Sequence, residues 1–336
     1  MSELRQVLDD GVQKHAGKHV GLAVAVVRGN ETAMTGRGVT GEHGALPGPH
    51  TLFQIGSVTK VFTSLLLADL VVAGDVRLDQ PVSEFFPDVE IPMLGRPITL
   101  SDLATHTSGL PRLPKHLVRN ALRHRDNPYS HFTGEDLERA LEQYRPRRPP
   151  GGRVRYSNFG AAVLGDALSR RIGRTYDELV GDRICQPLDM PDTVVESSLA
   201  QSNRHAQGHS RRGRPVPDWD MPAMPGMGAL RSTTTDIITF LRAQLEPDFT
   251  PLAEAIRMTH RRRAQRGRAL SVCLGWFSFP GDDSSGPMLW HNGGTGGTFS
   301  FVGFVPSDGT GVVVLANNAR SVDGVGVELL RQISAL

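Results

Sequence analysis

Lysine is almost missing from this chain. Its 336 residues hold 37 Lys and Arg together, and only Lys14, Lys18, Lys60 and Lys115 are lysines. Cysteine is scarcer. Cys185 and Cys273, far apart in sequence, exclude a disulfide framework and leave a zinc cluster short of ligands. They read as small buried apolar residues. The 12 histidines show no metal-ligand spacing, so no metal is expected. Long apolar runs are absent too. The longest, residues 61–73, is interrupted by Thr63, Ser64 and Asp69 and is too short to cross a bilayer. The opening MSELRQVLDDGVQKHAGKHVG lacks the apolar centre of a secretory signal, which predicts a cytoplasmic protein. A net charge of +2 gives no global field that calls for nucleic acid. No G-x-S-x-G elbow, Walker motif or dinucleotide glycine motif occurs, which disfavours an α/β-hydrolase triad and nucleotide chemistry.

What is present is ordinary in bulk: 39% apolar and 21% charged residues, in a length that suits two domains or one large one. Residues 3–15 have the spacing of an amphipathic helix. VGLAVAVVRG and ETAMTGRGVTG, separated by Gly29 and Asn30, predict a β-hairpin. The Gly/Pro-rich TGEHGALPGPHT then leads to Phe53 and Ser57. Residues 57–73 are apolar nearly all round, which predicts a buried helix that Gly74 can cap. Residues 75–225 look helical with many breaks. SDLATHTSGLP offers a serine N-cap. TGEDLERALEQY and FGAAVLGDALSRRIG carry helical spacing on either side of the connector RPRRPPGGRVRYSN. Residues 200–228 read as a long surface loop, polar at first and then rich in Pro, Met and Gly. After the helical TTTDIITFLRAQL, four runs read as consecutive strands: ALSVCLGWFSF, PMLWHNGG, TFSFVGFVP and GVVVLANN. VDGVGVELLRQISAL closes the chain as a helix. The expected fold is α/β (α+β). Residues 1–74 and 226–336 form an antiparallel sheet flanked by helices, residues 75–225 form an inserted all-helical domain, and the active site lies in the cleft between them.

Three short segments carry chemistry. On a helix, Ser57 and Lys60 share a face, about 5–6 Å apart at Cβ. Ser57 falls near the helix N-terminus, where unpaired N–H groups and the dipole favour a developing oxyanion. A serine hydroxyl is a poor nucleophile until a base takes its proton. A desolvated lysine can be that base, whereas arginine stays protonated. In a chain that elsewhere uses arginine, this explains the lysine at position 60. The bland alternative is a serine cap followed by a solvated lysine. In RYSNFG, Tyr156, Ser157 and Asn158 sit on a loop before a helix. A tyrosine near a lysine cation loses its proton more easily and can serve as base or acid. Asn158 offers a donor and an acceptor. The alternative is a turn with an aromatic anchor. In WHNGGTGGTFSF, glycines packed beside an apolar strand mark a close approach to the backbone, and an edge N–H there can meet an oxyanion. A plain glycine-rich hairpin is the alternative.

In this order, Ser-x-x-Lys, Tyr-x-Asn and His-x-Gly, the chain resembles the serine β-lactamase and penicillin-binding-protein superfamily, specifically its class C β-lactamase-like branch. FQIGSVTKVFT is similar to the family's nucleophile segment, LATHTSGLP to its helix end and turn, and PGMGALRSTTTDIITFL to the segment that re-enters the α/β domain. The resemblance implies Ser57 as the acylated nucleophile, with Lys60 and Tyr156 sharing general-base duty. It places Asn158, His291 and Gly293 against the substrate, and the N–H groups of Ser57 and Gly294 in the oxyanion hole. No metal or organic cofactor is implied. His291 departs from the Lys-Thr-Gly pattern of many members. A neutral histidine holds a substrate carboxylate less well than lysine, which puts β-lactamase activity in doubt.

The expectation is a serine hydrolase, foremost a carboxylesterase. An acyltransferase using the same acyl-enzyme, a D-amino-acid peptidase and a weak β-lactamase are the alternatives, and a catalytically dead binding protein is disfavoured. RMTHRRRAQRGR (257–268) and SRRGRP (210–215) read as solvated charge runs. Their alternative use is docking an acidic partner, such as a carrier-protein or CoA acyl donor. His106 reads as a satisfied structural histidine. Substrate choice is assigned to the loops near 110–130 and 200–228.

Overall fold

Apolar residues on both sides of a strand dictate a sheet covered on both faces, and residues 21–27 are buried without exception. In a computed structural model, which describes residues 2–41, 44–115, 117, 123–281 and 286–336, helix α1 (Glu3–Ala16) leads into strands β1 (Gly21–Arg28) and β2 (Glu31–Gly38). The short β3 (Phe53–Gln54) precedes helix α2 (Thr59–Val72). A helical stretch follows, with α3 (Leu100–Ala104), α4 (Gly134–Glu142), α5 (Asn158–Ile172) and α6 (Tyr176–Val180). The chain returns through β4 (Arg231–Ser232), α7 (Thr234–Leu245) and α8 (Ala253–His260). It ends with β5 (Ala264–Arg266), β6 (Leu270–Val272), β7 (Phe277–Phe279), β8 (Met288–Gly294), β9 (Phe299–Val305), β10 (Thr310–Ala316) and α9 (Asp323–Ser334). The main sheet has the order β2-β1-β10-β9-β8-β7-β6-β5 and is antiparallel at every pairing.

The period of two sorts the strand residues. Leu22, Val24 and Val26 join Leu8 and Val12 of α1 and Leu329 and Ile333 of α9 in one apolar layer. Ala23, Ala25 and Val27 belong to the larger core on the opposite face, with Phe62 of α2, Leu241 of α7 and Ile256 of α8. Phe62 and Phe240 stack there at 4.3 Å. Leu103, Leu137, Leu164 and Leu179 extend the same core through the helical stretch. Helix α2 therefore runs through the middle of the molecule, which is why its sequence is apolar all round.

Three local readings change, and the arginine run gains secondary structure while staying largely exposed as expected. The run ALSVCLGWFSF is two strands, β6 and β7, joined by a turn whose Gly275 has φ +75°. The arginine run at 257–268 contains the end of α8 and the edge strand β5, which borders solvent and needs no apolar face. The cap of α3 is Thr99 rather than Ser101, because Asp102 stands at the third helical position and closes a reciprocal capping box with Thr99. Residues 200–228 are not a surface loop throughout: Ala206, His209, Met221, Met224 and Met227 are buried. Residues 42–43, in the loop before Phe53, lie outside the described residues, as do 116 and 118–122 of the loop near 110–130.

Candidate active site

The nucleophile turn is clamped from two sides. The Ile55 N–H donates to the Leu230 carbonyl beside the β3–β4 pair. From β9, Ser300 Oγ donates to the Ile55 carbonyl at 2.7 Å, and just before that strand Thr298 Oγ1 donates to the Gln54 carbonyl at 2.8 Å. Gly56 then turns with φ +51°, which glycine adopts without strain. A side chain there would also strike the Gly294 nitrogen, 2.7 Å from the would-be Cβ. Ser57 sits in the single 3-10 turn Gly56–Val58, directly ahead of α2.

Lys60 is 2% exposed, in the first turn of α2. Its Nζ lies 3.0 Å from Ser57 Oγ and donates to the Met227 carbonyl at 2.5 Å. Among the described residues no carboxylate pairs with it. Burial, with help from the Arg112 charge, holds the Lys60 amine well below the ordinary lysine range. The Met227 carbonyl was invisible to sequence reasoning, because a backbone acceptor carries no residue-type label. The same segment supplies the Gly226 carbonyl, which accepts from Thr63 Oγ1 at 2.7 Å. The close packing of Gly226 on Gly165 of α5 is what lets the chain enter here.

Tyr156 comes to this pair from the helical stretch. Its phenol lies close enough to the Ser57 side chain to feel its pull, and the Lys60 Nζ lies 5.1 Å from its ring centroid. Burial pushes the phenol up to about 12, against the opposing pull of the Ser57 side chain and of Arg112. The easy proton loss expected of this tyrosine is therefore absent: desolvation outweighs nearby positive charge. His106 is more than a filler. Its backbone is in the left-handed region at φ 59°, its ring packs 4.5 Å from the Tyr156 ring, and its Nδ1 accepts from the Ser157 N–H at 3.3 Å. Its carbonyl accepts from the Arg155 N–H. His106 thus braces the backbone on both sides of Tyr156. Ser157 caps α5 and Asn158 is the first residue of that helix. The Asn158 Oδ1 is buried without a hydrogen-bond partner.

Strand β8 closes the other side. Strand β7 pairs with it only as far as Trp290, so, among the described residues, positions 291–294 have β9 on one edge and no strand on the other. Gly293 lies against the nucleophile turn: a Cβ there would fall 2.0 Å from the Ile55 oxygen and 2.8 Å from the Ser57 nitrogen. His291 is 1% exposed, with Nδ1 2.6 Å from the Asn292 carbonyl and Nε2 buried without a partner. Burial first, then the proximity of Lys60, pushes its pKa down to about 3, so this imidazole is neutral. Ser57, Lys60, Tyr156, His291 and Gly293 thus meet in one place, although their positions span most of the chain. Among the described residues no group of three or more His, Cys, Asp or Glu is placed to hold a metal.

A half-buried serine beside a buried lysine and a tyrosine, set between a sheet and a helical stretch, defines a class. A solved class C beta-lactamase superposes with a TM-score of 0.88 at 21% identity, covering 99% of this chain and 96% of that one. The fold is that of the class C β-lactamases. A Yersinia pestis beta-lactamase/D-alanine carboxypeptidase, solved with citrate, matches with a TM-score of 0.82 at 26% identity, covering 99% and 97%. In sequence, the D-alanyl-D-alanine-carboxypeptidase/endopeptidase AmpH of Escherichia coli K12 is 29% identical over 314 residues, 89% of this chain and 80% of that protein. A beta-lactamase of Pseudomonas fluorescens is 26% identical over 350 residues, 94% of each. The Beta-lactamase family profile matches residues 4–335, and the chain belongs to that family, as a serine hydrolase of the β-lactamase and penicillin-binding-protein superfamily.

Proposed function

We propose that this protein cleaves an ester or amide through an acyl-enzyme on Ser57, with carboxylic esters as its preferred substrates. The observation that carries the reading is the 3.0 Å contact between Ser57 Oγ and a buried Lys60 amine without a carboxylate partner. A neutral amine has two N–H bonds and one lone pair. With one N–H held by the Met227 carbonyl, the lone pair is free to take the Ser57 proton. Ser57 Oγ then bonds the substrate carbonyl carbon, and the oxyanion rests on the N–H groups of Ser57 and Gly294. The bond to the leaving group breaks as Tyr156, neutral at rest, supplies its proton. The phenolate recovers a proton from the Lys60 ammonium. Water reverses these roles to release the acid and free Ser57. Asn158 and Gly293 line the substrate side, with the unpartnered Asn158 Oδ1 able to accept a substrate N–H or O–H.

The preference for esters rests on His291. An imidazole neutral down to about pH 3 supplies no cation for a substrate carboxylate. A second reading, D-alanyl peptidase with weak β-lactamase activity, is favoured by the similarity to the carboxypeptidase/endopeptidase of Escherichia coli. Intact-mass measurement of acyl adducts across p-nitrophenyl esters, nitrocefin and D-alanyl peptides separates the two. Esters are expected to leave the largest adduct, and Ser57→Ala none. An adduct confined to the peptides would move the assignment to the second reading. No adduct with any of them, or one that survives Ser57→Ala, would remove both. Transfer of the acyl group to an added amine or alcohol in preference to water would make the enzyme an acyltransferase.

A further inference from the structure

Beside the reacting groups lies a cavity of about 940 Å³ of an unusual kind. Seven arginines and Lys115 line it, and among the described residues its lining includes no Asp or Glu. Tyr156 is part of its wall, so the residue that packs beside Ser57 and Lys60 also borders this space. Some arginines elsewhere are ion-paired, as Arg96 is with Asp102, Arg170 with Asp166 and Glu138, and Arg204 with Asp192. Among the described residues others, such as Arg211 and Arg261, are not, and what sets the cavity apart is that eight cations share one concave space. Among the described residues, none of the eight cations at the cavity forms an ion pair. Arg147, Arg148 and Arg153 come from the Pro/Gly-rich connector, and Arg266 from edge strand β5. The composition of the whole chain does not require this, since its 35 Asp and Glu nearly match its 37 Lys and Arg.

Like charges gathered around a concave space repel one another until an anion enters. Guanidinium groups suit that role, because their forked N–H pairs match the oxygens of phosphate and carboxylate. The volume suits a small molecule, within the roughly 300–1,000 Å³ of ligand pockets. We propose that this cavity is a binding subsite for a multiply charged oxyanion, a phosphate or polycarboxylate group borne by the substrate whose carbonyl is attacked at Ser57. The link to the substrate rests on the acyl-enzyme reading above; the anion site itself does not. The cations are exposed, so binding weakens as salt rises.

Calorimetry on the full chain at low ionic strength, with inorganic pyrophosphate and with citrate, tests the site. At least one is expected to bind and to raise the melting temperature. The probe that binds tells phosphate from polycarboxylate. Arg147→Gln/Arg148→Gln/Arg153→Gln should weaken binding at least about tenfold, as loss of charge-assisted contacts does. Arg257→Gln/Arg261→Gln/Arg262→Gln removes the same charge outside the cavity lining and should leave binding within about twofold if the attraction is local. Failure of both probes to bind, or equal weakening by the two triple variants, overturns the proposal. Ser57→Ala should keep full anion binding. Anion binding without any ester adduct would therefore leave the subsite standing and sink only the acyl-enzyme reading. If nitrophenyl esters that end in a phosphate or carboxylate acylate Ser57 no faster than neutral ones of equal length, the subsite does not serve the substrate.

Discussion

Around Lys60, burial strips charge from ionisable groups; in the neighbouring cavity eight cations stay in contact with water and, among the described residues, without carboxylate partners. Tyr156 borders both regions. The buried region holds Lys60, His106 and His291, all with pKa values pushed down by desolvation. It tolerates them because each has a neutral form. Arginine has none in practice, and the arginines stay on the wet side. Lys60 and the arginines are thus put to opposite uses: the one buried lysine can give up its proton inside, while seven arginines, with Lys115, line the opening.

The sharpest way to break this contrast is to place arginine inside. Lys60→Arg keeps a cation but removes the amine that can be neutral, and acylation by a p-nitrophenyl ester should fall on the order of 10⁴-fold. A smaller loss would mean that another group takes the Ser57 proton. Tyr156→Phe removes the proton donor while keeping the ring that His106 braces. A fall of about 10²–10³ in acylation rate is expected, and stopped-flow nitrophenolate release measures it. Gly293→Ala drives a methyl group into the Ile55 carbonyl. It should cost about 1–3 kcal/mol in urea unfolding and lose acylation as the turn shifts.

The buried histidines sharpen the contrast through acid. In the unfolded chain a histidine binds its proton near pH 6.5, whereas His291 resists down to about 3 and His260 to about 4. The unfolded state therefore binds more protons between these limits. Stability is full above about pH 6.5 and declines as pH falls toward 4. Urea midpoints should follow that slope, and it should flatten in His291→Gln; an unchanged slope would deny that His291 is neutral. The smallest effect links the two regions. The Arg112 charge helps depress Lys60, so Arg112→Gln lets the amine hold its proton more readily. The acid limb of the acylation rate should move to slightly higher pH, and a shift to lower pH would contradict the assignment of that limb to Lys60.

How much of this could be read from the chain depended on how local each feature is. Ser57 and Lys60 lie one helical turn apart, so their meeting is fixed by backbone periodicity. The apolar character of residues 61–73 likewise announced a helix buried on all sides. Tyr156 and His291 became site residues only through the order of motifs, because nothing near either of them in sequence says what lies across the fold. The Met227 carbonyl could not be read at all: the segment PGMG looks like surface loop by composition, yet its backbone oxygens serve Lys60 and Thr63 inside the core. His106 is the structural histidine its sequence suggests, but its left-handed backbone and its packing on the distant Tyr156 leave no trace in spacing. The cavity was hidden for a similar reason. Five of its arginines lie in the connector RPRRPPGGRVRYSN, which reads only as a Pro/Gly-rich link, and nothing local shows that Arg112, Lys115 and Arg266 border the same space.

The scarcity of lysine makes the central claim directly measurable. With ¹⁵N-labelled lysine, four side-chain nitrogens give four resonances, and Lys60→Met assigns the one of interest. The account predicts that this nitrogen titrates far below the other three and is a neutral amine at the pH where Ser57 is acylated. A Lys60 resonance that titrates with the rest, near the ordinary lysine value of about 10.4, would contradict it.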